Sequence, residues 1–277
     1  MGETLFRFQI CLRICVHLCS SVVKGVFIGM VPAEDASLAA DGGAANSSIL
    51  SSLAAASGYH ARTFMNTEHF LKQRIICVAV IDKADDAVPL AEALLAGGLK
   101  CMEVTFRTAG AAESIRRIRQ GVPQIYIGAG TLLTGDQVKQ AVDAGAQFGV
   151  SPGLSEAVSK ASHENHFPIF PGVVTPSEVM RAMELGWKQL KFFPAETFGG
   201  VNALKALIGP FGHTGVQFVP TGGITATTLP NYLAIPQVAA VGGSWMAERK
   251  LVAEKNWAKI TALTAEAMKV IASARPS

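Results

Sequence analysis

The sequence predicts an α/β protein folded as a (β/α)₈ TIM barrel, a parallel eight-stranded barrel with outer helices. Three observations carry this reading. From residue 75 onward, short apolar runs alternate with amphipathic stretches at a spacing of roughly 20–25 residues. Eight such runs occur, and a helical crossover between each pair of runs makes the strands parallel. No G-x-G-x-x-G turn follows the first run, as a dinucleotide-binding open sheet would require. A doubly wound open sheet is the runner-up.

The strand candidates, in order, are Ile76–Ile81, Cys101–Phe106, Ile125–Ala129, Phe148–Ser151, Ile169–Val173, Leu190–Phe193, Phe218–Pro220 and Ala239–Val241. The helical stretches between them include Asp85–Ala96, Ala111–Arg119, Gly135–Ala144, Ser155–His163, Pro176–Glu184 and Val201–Ile208. Gly97, Gly121, Gly145 and Gly186 follow or close four of these stretches, where a C-cap is expected.

The chain has 277 residues, 49% of them hydrophobic and 16% charged, enough to bury a large core. Its formal charge of +3 is too weak to suggest nucleic acid, and no dense basic run supports that partner. Residues 1–64 carry four basic and four acidic side chains, so the net charge comes from the remainder. The chain changes character near Met65. We expect residues 1–64 to be an N-terminal extension, either disordered, a targeting segment or an upstream gene-model artefact, and residues 65–277 to be the barrel domain. Residues 33–57 are rich in Ala, Ser and Gly, as in a linker. Residues 5–30 are apolar but broken by Arg7, Arg13 and Lys24, so no membrane helix is expected. Cys11, Cys15 and Cys19 fall on one helix face without an evident fourth metal ligand. Cys77 and Cys101, far apart in the body, make no disulfide framework and point to a reducing, cytoplasmic setting, with organelle targeting by residues 1–64 still open.

In such a barrel the chemistry sits at the C-terminal ends of the strands. Strand 6 places Lys191 in the run Leu190-Lys191-Phe192-Phe193-Pro194-Ala195-Glu196. Burying an ammonium in such a run is costly, and burial lowers a lysine pKa, which prepares a neutral amine for attack on a ketone. The competing reading is a lysine that snorkels to water. Strand 2 ends Glu103-Val-Thr-Phe-Arg107. Glu103, facing inward, can relay protons beside Lys191 or serve only as its ion-pair partner. Arg107, just past the strand, suits a carboxylate or is a solvated surface residue. Thr131 is a hydroxyl beside Gly130 or a helix N-cap. Thr221-Gly222-Gly223 and Gly242-Gly243-Ser244, on the last two strands, let backbone N–H groups approach an anion. His163 and His166 end a helix at the opposite face and are read as no metal site; no metal constellation is expected.

Together these motifs, with Gly128-Ala-Gly-Thr131, Ser151-Pro-Gly153, Pro220-Thr-Gly-Gly223 and Gly242-Gly-Ser-Trp245, resemble the 2-keto-3-deoxy-6-phosphogluconate (KDPG) aldolases, a family that includes 4-hydroxy-2-oxoglutarate (KHG) aldolase activity. The resemblance covers about residues 70–273. It implies a homotrimeric class I aldolase of TIM-barrel fold that uses neither metal nor cofactor and takes a small 2-oxo acid as its partner. It implies Lys191 as the Schiff-base lysine and Glu103 as general acid/base. Arg107 and Thr131 would hold the carboxylate of the pyruvate part, and Pro152 and Phe193 would shape the pocket. Thr221 would set stereochemical preference, and Gly222, Gly223, Gly243 and Ser244 would hold phosphate. Some relatives carry an arginine at the end of strand 1 that contacts phosphate; Asp82, followed by Lys83, takes that place here. An aldolase for the galactonate epimer and a sugar-phosphate-binding barrel without carbon–carbon chemistry are the alternatives.

Overall fold

The computed structural model describes residues 73–273. The expected extension, the boundary at Met65 and Cys11, Cys15 and Cys19 lie outside the described residues. Among the described residues there are nine strands: β1 Ile75–Ala79, β2 Cys101–Thr105, β3 Tyr126–Gly130, β4 Phe148–Val150, β5 Ile169–Phe170, β6 Gly172–Val173, β7 Gln189–Phe192, β8 Gln217–Pro220 and β9 Val241–Gly243. The helices are α1 Ala87–Ala96, α2 Ala111–Gly121, α3 Gly135–Asp143, α4 Glu156–Glu164, α5 Pro176–Glu184, α6 Gly200–Ile208, α7 Leu229–Leu233, α8 Arg249–Ala253 and α9 Trp257–Ser273. No described helix is long and apolar enough to cross a membrane.

Every ladder is parallel. The fold is therefore a curled parallel α/β sheet, but it is not the single continuous eight-stranded sheet that the apolar runs predict. One sheet has the order β5-β4-β3-β2-β1-β9 and the other β6-β7-β8. The expected fifth strand divides at Pro171, which has no N–H to give to a ladder. The Phe170 carbonyl accepts from Ser151 N–H at 3.1 Å, whereas the Pro171 carbonyl accepts from Lys191 N–H at 2.9 Å. The chain thus changes neighbours within one residue. On the other side, β8 meets the segment leading into β9 through single parallel bridges, Phe218 with Val238 and Thr221 with Gly242.

Alternation along the strands sorts side chains into two layers. One layer packs the sheet against the helices. The other is a separate buried cluster that includes Ile76, Cys101, Tyr126, Phe148, Phe170 and Val219. Tyr126 stacks on Phe148 at 5.4 Å, and Phe148 meets Phe170 edge-on at 5.9 Å. Gly128 makes this possible, because a Cβ there would lie 2.3 Å from the Phe148 ring. On β2 this cluster takes Cys101, and Glu103 and Thr105 follow it on the same face.

Local signals place the helices. Thr134 caps α3, Ser155 caps α4, and Thr175 with Glu178 forms a capping box at α5, with Pro176 in its first turn. Gly145 and Gly186 are left-handed at φ 87°, as C-terminal glycines should be. Gly97 is not: its φ is −77°, and Gly98 takes the left-handed position at φ 92°. Gly97 instead lets α9 approach, since a Cβ there would sit 2.5 Å from Thr264 Cβ. Helix α2 runs through the expected cap Gly121 to Val122.

Candidate active site

A cleft of about 400 Å³ opens at the C-terminal ends of the strands. Lys191 enters it from β7 and Glu103 from β2, 5% and 3% exposed. Burial pushes the Lys191 ammonium pKa down, while the charge of Glu103 opposes that shift. Burial pushes the Glu103 carboxyl up, and Lys191 opposes that in turn. Desolvation is the larger effect on both groups, so each is biased toward its neutral form. Lys191 Nζ also lies 4.5 Å from the centre of the Phe193 ring, a contact that favours the cation and tempers the bias.

The backbone around the pair makes room for it. Glu103 is level with Gly128 and Thr105 with Gly130 across the β2–β3 ladder. A Cβ on Gly130 would stand 2.8 Å from Glu103 Oε1, so the glycine lets the carboxyl hold this position without being displaced. Gly172 is level with Lys191 on the β6–β7 ladder, and a Cβ there would stand 2.1 Å from the Pro152 carbonyl oxygen. Gly172 therefore admits the loop Ser151-Pro152-Gly153, in which the Ser151 hydroxyl donates to the Gly153 carbonyl.

The structure brings most of the predicted residues to this cleft: Arg107, Thr131, Pro152, Phe193, Thr221, Gly222, Gly223 and Ser244 all line it. Arg107 is exposed at the rim. Thr131 has φ 57°, an uncommon backbone for a β-branched residue and one found where function constrains the chain. Its hydroxyl does not cap α3, because Thr134 does. Thr221 is buried, and its Oγ1 donates to the Val219 carbonyl at 3.3 Å. Gly222 and Gly223 turn the chain with φ 104° and 79°.

One predicted residue is placed elsewhere. Gly243 does not line the cleft; the Trp245 ring fills the space of its missing side chain, where a Cβ would lie 1.9 Å from the ring. Gly242 lines the cleft instead, and a Cβ on it would strike Thr221 Oγ1 at 2.3 Å. Val78, Val80, Thr105 and Ile224 complete the walls. Val78, Val80 and Thr105 fall at alternate positions that share a face with Ile76 or Glu103, a signal present in the sequence. Asp82 is not at the cleft. It accepts from Arg249 Nε at 2.8 Å and Nη2 at 2.6 Å, and this pairing holds its carboxyl below the usual range. His163 bonds the Leu185 carbonyl at 2.9 Å and stacks on Trp187. Among the described residues, no group of three or more His, Cys, Asp or Glu is arranged to hold a metal ion.

A buried amine and a buried carboxyl, each biased to neutrality, with a guanidinium at the rim of the same cleft, suit nucleophilic attack on a carbonyl next to a carboxylate. Known proteins agree with that chemistry. Residues 67–263 match the family model for KDPG and KHG aldolase. The 2-dehydro-3-deoxy-phosphogluconate aldolase of Treponema pallidum (strain Nichols) is 46% identical over 198 residues, 72% of this chain and 93% of that protein. The crystal structure of KDPG aldolase from Legionella pneumophila, with pyruvate captured at low pH as a covalent carbinolamine intermediate, is 41% identical with a TM-score of 0.68. It covers 72% of this chain and 96% of that one. The aldolase of Zymomonas mobilis ZM4 with 3-phosphoglycerate is 43% identical with a TM-score of 0.66, covering 73% of this chain and 95% of that one. The family model spans the strands that carry Lys191, Glu103 and the glycine turns, and this chain belongs to the KDPG and KHG aldolase family.

Proposed function

We propose that this protein is a carbon–carbon lyase that cleaves KDPG to pyruvate and glyceraldehyde 3-phosphate through a Schiff base on Lys191. One observation carries the reading: Lys191 and Glu103 share one cleft, almost wholly buried, and each is biased toward its neutral form. The neutral Lys191 amine attacks C2 of the substrate ketone. Glu103 moves protons to give a carbinolamine and then protonates the departing hydroxyl, so water leaves and an iminium forms. The Glu103 carboxylate next takes the proton of the C4 hydroxyl. The C3–C4 electron pair moves into the iminium, glyceraldehyde 3-phosphate departs, and an enamine is left on Lys191. Glu103 returns its proton to C3, and one water hydrolyses the iminium to pyruvate and free Lys191. Water is thus lost once and consumed once.

Arg107 and Thr131 hold the carboxylate of the pyruvate part in this scheme, and Pro152 and Phe193 bound the reacting carbons. Thr221 faces the leaving aldehyde. The Gly222-Gly223 turn, with Ser244, takes the phosphate; the 3-phosphoglycerate in the Zymomonas structure supports a phosphate ligand in a relative. Cleavage of KHG is a second activity of the same machinery, in keeping with the family name. We further propose that the two sheets close as one barrel of eight strand positions, with β5 and β6 counted as one. Residues 65–277 would form the enzyme domain, assembled as a homotrimer in the cytoplasm. The test is turnover: KDPG supplied to the protein should yield pyruvate and glyceraldehyde 3-phosphate in equal amounts, and intact KDPG after prolonged incubation with folded protein would overturn the proposal.

A further inference from the structure

The Gly222-Gly223 turn has no side chains of its own to anchor it, and both residues are left-handed. Its support comes from the segment after β7. Ala195 N–H donates to the Thr221 carbonyl at 2.8 Å and Glu196 N–H to the Gly222 carbonyl at 3.0 Å, so the chain stays zipped to the turn beyond the strand ends. The Glu196 side chain lies against Gly223, where a Cβ would meet Glu196 Cβ at 2.8 Å and Cγ at 3.0 Å. At its far end the carboxylate accepts a hydrogen bond from Tyr232 Oη at 2.7 Å. Tyr232, on α7, is fully buried; burial and then this bond push its hydroxyl pKa up. Gly200, at φ 62°, closes the third side: a Cβ there would be 3.5 Å from both Glu196 Oε2 and Tyr232 Oη.

Glu196 is exposed and negatively charged, so it has the wrong sign to bind a phosphate itself. Its geometry suits a brace. We propose that the Tyr232–Glu196 hydrogen bond is a positioning device for the phosphate end of the substrate. Tyr232 pins the Glu196 side chain, and Glu196 keeps the Gly222-Gly223 turn in the conformation that the anion meets. This rests on the reading that the turn takes the phosphate. The device acts on binding of one end of the substrate and leaves Lys191 and Glu103 untouched.

Tyr232→Phe keeps the ring and removes the donor. It is expected to raise KM for KDPG roughly three- to tenfold, the worth of one such hydrogen bond. kcat and the rate at which borohydride traps pyruvate on Lys191 should stay at wild-type values, and the variant should remain folded. kcat/KM for 2-keto-3-deoxygluconate, the same substrate without its phosphate, should not change. Glu196→Ala should repeat the Tyr232→Phe result, and Glu196→Gln, which keeps an acceptor, should restore wild-type KM. An equal loss on both substrates, or no change in either variant, would overturn the brace. If the wild-type protein itself gains nothing from the phosphate, the phosphate reading and the brace fail together. If wild type prefers KDPG and Tyr232→Phe is silent, only the brace fails.

Discussion

At the scale of single residues, the central fact is a lysine and a glutamate buried together, each pushed toward its neutral form chiefly by burial. Lys191→Met removes the nucleophile and replaces a desolvated amine with an apolar chain of similar length. It should abolish the borohydride-trappable adduct and leave the melting temperature equal or higher; a variant that still forms the imine would displace Lys191 from its role. Glu103→Gln keeps the shape and loses the proton relay, so turnover should fall by about 10²–10⁴-fold. A near-normal rate would reduce Glu103 to a structural group. Lys191, Glu103 and Arg107 are legible in the sequence because a charge in an apolar run, or just past its end, is unusual. Gly243 has a packing role that a glycine pair does not announce: it admits the Trp245 ring. The Tyr232–Glu196 bond spans 36 positions and has no local signature.

At the scale of elements, the alternation of strand and helix is readable because apolar runs and caps repeat, whereas strand ends depend on partners. The last strand is expected at Ala239–Val241, where the apolar run lies, but pairing with β1 sets it at Val241–Gly243, with Ile75 opposite Val241 and Cys77 opposite Gly243. Pro171 sits inside an apolar run that reads as one strand, and its effect emerges only once β4 and β7 compete for the flanking carbonyls. The aromatic cluster gives an element-scale test. Gly128→Ala on β3 forces a methyl into the Phe148 ring, which neighbours Phe170 and Tyr126 on both sides. The overpacked variant should lose about 1–3 kcal/mol of stability in denaturant unfolding. An unchanged midpoint would mean that Phe148 is free to move aside and that the cluster is not tightly packed.

For the whole molecule, the buried pair couples pH to both stability and chemistry. The Lys191 pKa is lowered in the folded state, so the unfolded chain binds more protons between that value and the ordinary value of 10.5. Stability from this residue therefore rises with pH across that window and is lost as pH falls through the folded pKa. Glu103 is raised above its ordinary 4.5, so the folded chain holds more protons there and stability falls with pH from 4.5 up through its folded value. Unfolding curves measured across pH should show Lys191→Met flattening the first slope and Glu103→Gln flattening the second; slopes that survive both substitutions would trace the pH dependence to other groups. The proposed homotrimer is checked by sedimentation, which should give a mass of three chains; a monomer at micromolar concentration would contradict it. The most direct test of the account is mass spectrometry of the protein after mixing with pyruvate and sodium borohydride. One covalent pyruvate-derived adduct per chain, located on Lys191, is the expected result. Folded protein that carries no adduct, or carries it on another lysine, would contradict the account.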